Sequence, residues 1–249
     1  MMLARVAGRR WLSAASVKAD VKLLGLLRKE TDLSVSKCKD ALVAFGNDYD
    51  KALDFLRESE ASAGMAKADK LKDRTTGQGA VGTRLNDARD KGAIWEMHSE
   101  TDFVARNTLF LDFAYASAGA ALTAADLAAS LEEARSGIPP LIGKLGENIS
   151  IRRLETLSGG LLGAYTHALG GDRRGGQQAA IVKLEGPGLA SAPNATAQLG
   201  PLCDKLAQHV MAMLMQQRGN PEIIAEIAKQ PFVFDPDVTV QQRTHWKAD

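Results

Sequence analysis

The sequence predicts an α+β protein: a three-helix bundle, a linker, and then a core of antiparallel sheet and helices. Three observations carry that expectation. Apolar residues recur at three- and four-residue spacing from Lys18 to about Glu60, the signature of amphipathic helices. Strand-like alternation appears in AIWEMHSE and again after Ile149, and helix-period patterns lie between the two. The expected division is 1–16 as a separate leader, 17–60 as the bundle, 61–78 as the linker and 79–249 as the core. With 249 residues, 45% hydrophobic and 24% charged, the chain has a globular composition and room for one large domain or two small ones.

The elements follow in order. Val21, Leu24 and Leu27, with Leu23 filling the stripe, place a helix over Lys18 to Thr31. Ser34 or Ser36 caps a second helix running to about Phe45, with Val35, Cys38, Leu42 and Phe45 on one face. Gly46 and Asn47 make the turn, and Asp48 caps a third helix with Ala52, Phe55 and Leu56 inward, ending near Glu60. Residues 61–78 are small, polar and charged, a linker with a helical turn near Met65 to Leu71. Ala93 to Met97 is read as a half-buried strand, Trp95 and Met97 on one face and Glu96 and His98 on the other or at its margin. Asn107 caps a helix to about Ala121 with Phe110, Phe113, Ala114 and Ser117 inward. Another helix spans Ala124 to Arg135, ended by Gly137, Pro139 and Pro140. Strands are expected at Ile149 to Leu157, Leu161 to Ala168 and Ala179 to Leu184.

Composition excludes several functions. Lys plus Arg number 31 and Asp plus Glu 30, so no net field draws the molecule onto nucleic acid or an anionic membrane. No run of 18 apolar residues exists to span a bilayer as a helix. Cys38 and Cys203 stand far apart without CxxC or His/Cys spacing, against a disulfide framework or a zinc site and in keeping with a reducing compartment. The leader MMLARVAGRRWLSAAS carries Arg5, Arg9 and Arg10, with no acid before Asp20, the pattern of a mitochondrial transit peptide, which would make this a matrix protein; an ordinary frayed basic terminus is the alternative. Its removal takes the formal charge from +1 to about −2.

Nor does the chain carry a catalytic constellation. GGDRRGGQQ joins two strand-like segments instead of opening a helix, and it lacks the GK[ST] of a phosphate cradle; it reads as a hairpin end. His98, His167, His209 and His245 lie in unrelated segments, and no GxSxG, HExxH or Cys-with-His signature is present. No cofactor, metal or covalent chemistry is expected, and the chain is read as a non-enzyme.

Four stretches resemble elongation factor Ts, the guanine-nucleotide exchange factor of translation. LLRKETDLSVSKCKDALVAFGNDYDKALDFLRE is similar to its ubiquitin-associated-like N-terminal domain. ETDFVARN matches the TDFVA signature of that family, KLGENISIRRLETL its second signature, and QPFVFDP resembles a third. They occur in the family's order, and the likeness spans roughly Lys18 to Val240. The resemblance implies elongation factor Tu, here the mitochondrial one, as partner. It also implies contact through Thr101, Asp102, Phe103 and Val104, through Leu145, Gly146, Glu147 and Asn148, through His209, and through Val233 and Phe234. In the family the Asp-Phe pair wedges into the nucleotide domain of the partner and disturbs its magnesium site.

The residues themselves leave alternatives open. Phe103 is either an ordinary core residue or an outward ring, and Asp102 either a helix N-terminal charge or an acceptor for a partner's donors. Residues 145–148 fit a helix-to-strand turn as well as a contact, and His209 fits a polar residue among core methionines. Pro231 and Pro236 hold the last segment extended. The chain also departs from long family members in having a shortened second subdomain between His209 and PFV. Two rival functions remain: a noncatalytic adaptor binding peptide or ubiquitin-like partners through residues 18–60, and an RNA-associated protein, for which no basic cluster after residue 16 is found.

Overall fold

The computed structural model describes residues 17–168, 171–186, 189, 195–216, 231–232 and 235–247, with side chains as far as Ala212. It is α+β, and it divides into two compact units between Ala63 and Gly64. The leader 1–16 and the pair Val233 and Phe234 lie outside the described residues.

The first unit holds helices α1 (Val21–Thr31) and α2 (Val35–Ala44) and the first part of α3 (Tyr49–Leu71). Each start is set by a side-chain cap. Asp20 accepts from the Lys22 and Leu23 amides at 2.8 and 3.1 Å, Ser34 from Lys37 at 3.4 Å, and Asp48 from Lys51 at 3.2 Å. Leu27, Cys38, Ala41, Leu42, Ala52, Leu53 and Leu56 form its core. Three residues expected inward face solvent instead: Val21, Val35 and Phe55. The buried stripes run instead through Ala41, Ala52 and Leu53.

Helix α3 does not stop near Glu60; it runs unbroken to Leu71. Residues 61–71 are rich in Ala and Lys, good helix formers, and Leu71 is buried with Ala68 packed beside it. Gly64 permits this, since a Cβ there would sit 2.6 Å from the Pro139 carbonyl oxygen.

The second unit is built on strands β1 (Gln78–Leu85), β2 (Lys91–Ser99), β3 (Ile149–Ser158), β4 (Leu161–Ala168), β5 (Gly176–Glu185), β6 (Pro231–Phe232) and β7 (Asp235–Lys247). All pairings are antiparallel, in the order β3-β2-β1-β5-β7-β6, with β4 also on β5. β1 and β5 are paired in register at Val81 and Gly176, so the sheet folds there and one half lies over the other. Four layers result. Helices α5 (Thr108–Thr123), α6 (Leu127–Ser136) and α7 (Ile138–Leu145) cover Ala93, Trp95, Met97, Ile149 and Leu154. Val81 and Ile94, on the other face, meet Leu162, Ala179 and Ile181. Beyond those strands, α8 (Ala195–Gln216) buries Cys203, Ala207 and Val210 against Leu161, Leu184 and Val182.

Three features differ from sequence expectation. β2 is buried on both faces, not one: Glu96 and His98 are 0% and 5% exposed, bonded to each other at 2.7 Å, with Arg153 on Glu96 at 2.5 Å. The carboxylate tolerates burial because it is paired and hydrogen-bonded. Pro139 and Pro140 do not merely end a helix; they occupy the first turn of α7, where proline's missing amide costs nothing. The inward stripe of α5 is centred on Leu111 and Ala118, leaving Phe113 and Ser117 half-buried.

Candidate functional site

Strand β2 ends at Ser99, and within three residues the chain turns into α4 (Asp102–Ala105), a single helical turn. One turn of helix is not self-supporting, since nucleation fixes several dihedrals for one bond. It is held from outside. The Thr101 hydroxyl caps it, accepting from the Val104 amide at 3.4 Å. Ser99 Oγ donates to the Thr101 carbonyl at 2.9 Å. Val104 and Ala105 anchor the inner face, 8% and 4% exposed.

That anchoring points the other face outward. Phe103 is 84% exposed, the greatest value among the exposed large hydrophobic residues of the described chain. Asp102 is half-buried beside it and forms an ion pair with Arg106 one turn on, at 3.1 Å. A narrow cleft next to Asp102 is lined by Gln78, Ala80, Ala105, Arg106, Gly175 and Gln177. Behind it Arg174, from the glycine-rich loop before β5, pairs with Asp112 of α5 and Asp172. That loop joins β4 to β5 as an antiparallel pair, the hairpin expected of it.

The second motif lies against the first. Gly146 ends α7 in the left-handed conformation, φ +83°, with its amide on the Ile142 carbonyl at 2.8 Å. That turn presents Glu147 to Thr101: the Thr101 amide donates to Oε2 at 3.0 Å and the Thr101 hydroxyl to Oε1 at 2.6 Å. In return the Asn148 amide donates to Glu100 Oε1 at 2.7 Å, while the Asn148 side chain donates to the Arg74 and Lys72 carbonyls at 2.8 and 3.3 Å. Leu145 packs on the core.

His209 belongs elsewhere. It is exposed on α8, in the outer layer over β4 and β5, while Val210 and Met211 next to it are buried. That helix is tied to the β1–β2 turn by Arg89, which makes a two-pronged pair with Asp204 at 2.8 and 2.7 Å and also reaches the Gly200 carbonyl at 3.1 Å. The bonds that Arg89 donates to Asp204 raise the Arg89 pKa, and burial pushes the Cys203 thiol up to about 12. Among the described residues no three His, Cys, Asp or Glu side chains group to hold a metal, and no helix is long and apolar enough to cross a membrane.

An exposed aromatic beside a carboxylate thus stands on a turn clamped by a second motif, and sequence comparison gives the lineage. A family model described as Elongation factor TS matches residues 100–226. Elongation factor Ts of Alcanivorax borkumensis is 34% identical over 252 residues, covering 86% of this chain and 85% of that one. The chain belongs to the elongation factor Ts family. Elongation factor Ts of Acidithiobacillus ferrooxidans is 36% identical over 227 residues, 87% of this chain and 68% of that one. The corresponding protein of Hyphomonas neptunium is 31% identical over 254 residues, 86% and 83%. As a member of the elongation factor Ts family the chain is a factor of translation elongation.

Sequence reasoning missed the bonds from Thr101 to Glu147 and from Asn148 to Glu100. The signal was slight: two acidic residues, Glu100 just before one motif and Glu147 within the other, with no local periodicity to join them.

Proposed function

We propose that this chain promotes release of GDP from elongation factor Tu by pressing Phe103 and Asp102 against the nucleotide domain of that partner, near its magnesium site. The observation that carries the reading is the exposure of Phe103 on a turn whose neighbours Val104 and Ala105 are buried. Burying such a ring is worth about 1.5 to 3 kcal/mol, and here that gain is left for a partner to supply. Asp102 offers a carboxylate at the rim of the contact, an acceptor for backbone or side-chain donors.

No covalent step is needed. A partner that binds the nucleotide-loose conformation of a GTPase more tightly than the nucleotide-tight one shifts the balance by that difference, and nucleotide rebinding weakens the partner by the same factor. The turn around Leu145 and Gly146, next to the tip, is proposed to extend the contact. His209, exposed on α8, is proposed as a second contact, and Val233 and Phe234 as a third. The arginine-bearing, acid-free leader supports action in the mitochondrial matrix with the mitochondrial form of elongation factor Tu; N-terminal sequencing of the protein recovered from imported precursor tests this.

The direct test is fluorescent-GDP release from elongation factor Tu. The full chain is expected to accelerate release and Phe103→Ala to slow it while leaving the chain folded. Equal rates for both would remove the wedge. A second reading, a noncatalytic adaptor, draws on the exposure of Val21, Leu26, Val35, Val43 and Phe55 in the first unit. It predicts that substitutions there abolish function and that Phe103→Ala does not.

A further inference from the structure

We infer that Glu147 is a positioning residue that sets the direction of Phe103 through Thr101, and that it does so from behind the tip instead of touching the partner. The inference rests on the wedge reading of Phe103 and Asp102. Its basis is a reciprocal exchange between two segments far apart in sequence. Glu147 receives both the amide and the hydroxyl of Thr101, at 3.0 and 2.6 Å, and Glu100 receives the amide of Asn148 at 2.7 Å. Bonds to an ionised acceptor are the stronger class, and two on one carboxylate fix an orientation as well as a distance.

All three polar atoms of Thr101 are engaged. Its amide and hydroxyl meet Glu147, its carbonyl accepts from Ser99, and its hydroxyl oxygen also accepts from Val104. Thr101 is the residue that caps α4, and α4 is one turn long, so the orientation of Phe103 two residues on is inherited from the cap. Phe103 cannot fix itself by packing, being exposed. Glu147 is fixed in turn by the left-handed Gly146 at the end of α7 and by Asn148, whose side chain grips the Lys72 and Arg74 carbonyls. The carboxylate whose two oxygens both serve Thr101 is thus committed within its own fold.

The chemistry sets the variants. Glu147→Ala removes both acceptors, and Glu147→Gln keeps one but turns an amide NH2 toward a donor. Thr101→Ser keeps the hydroxyl, and Thr101→Val removes it at nearly constant volume. Each is combined with Phe103→Ala and measured in fluorescent-GDP release from elongation factor Tu, alongside amide hydrogen exchange of residues 101–105 in the free protein. Glu147→Ala is expected to lower the maximal release rate roughly tenfold with a smaller change in the half-saturating concentration, as a displaced contact group does. Glu147→Gln and Thr101→Val fall between it and the wild type, and Thr101→Ser restores the rate. In the Phe103→Ala background Glu147→Ala is expected to cost less than about twofold more, since both act through one ring. Exchange at residues 101–105 rises in Glu147→Ala without partner present.

An equal loss from Glu147→Ala with and without Phe103 would show an independent contact and overturn the inference. Unchanged amide exchange would overturn it too. If Phe103→Ala is slow but Glu147→Ala releases GDP at the wild-type rate, the positioning role falls alone; if Phe103→Ala matches wild type, the wedge itself falls.

Discussion

Phe103 on α4 and Phe110 on the next helix, α5, have opposite fates: one is 84% exposed and the other is completely buried. Phe110 is held by what surrounds it, since α5 lays it against Trp95, Met97 and the other apolar residues of the sheet. Phe103 leaves most of its surface open to solvent. Its place is fixed by polar bonds to the backbone before it and by the burial of Val104 and Ala105 after it. Stability and presentation are therefore separable along this chain: apolar contact supplies the first, and a carboxylate clamp supplies the second.

The separation can be broken at the core first. Phe110→Ala should cost about 3 to 5 kcal/mol by urea denaturation, because it leaves a ring-sized void in a packed cluster. Removing a polar clamp away from the tip should cost less. Asp204→Ala strips Arg89 of its two-pronged partner and the Ala164 amide of its acceptor, for a loss of about 2 kcal/mol in the same measurement. Gly146→Ala should cost about 1 kcal/mol, since a residue with a Cβ resists the +83° dihedral that aims Glu147.

Cys203 sharpens the comparison by pH. Its thiol ionises near 9 in the unfolded chain but is held protonated to about 12 in the fold, where burial disfavours the thiolate. Between those values the native state binds more protons, so this contribution is fully present below pH 9 and is lost as pH rises toward 12. Denaturation midpoints for wild type and Cys203→Ala should converge across that window, and the native thiol should resist alkylation at pH 8. The smallest change in stability is expected at the tip itself, where Phe103→Ala should stay within about 0.5 kcal/mol of wild type.

Much of the fold was legible. Ser34, Asp48 and Asn107 lie where helices begin, as expected, and their side chains accept the first free amides; the Asp20 cap, inside the stretch expected to be helical already, was not foreseen. Other elements were hidden by residues with two meanings. Pro139 and Pro140 read as a stop and also make a good helix start. β1 was obscured by glycines at 79 and 82 that admit His98, Trp95 and the Arg174 carbonyl at close range, and α8 by Pro201 in its first turns. Glu96 and His98 read as a wet face because alternation records polarity and says nothing about a second layer above it.

At the site, the adjacency of Asp102 and Phe103 was plain in the signature, but the direction of the ring was not, since an aromatic at a helix start suits a core equally well. The Glu147 clamp was out of reach for a stronger reason. It joins residues 46 apart, and local periodicity has no means of pairing them.

The measurement that bears most directly on the separation compares Phe103→Ala with Leu109→Ala, a truncation at another exposed apolar residue just beyond the tip, 46% exposed. Both should unfold close to wild type. In fluorescent-GDP release from elongation factor Tu, Phe103→Ala should be slower by about tenfold or more at saturating concentration, the cost of one buried ring, while Leu109→Ala should stay within about twofold. Equal rates for the two variants, or a Phe103→Ala protein that is slow only because it has lost its fold, would contradict the account.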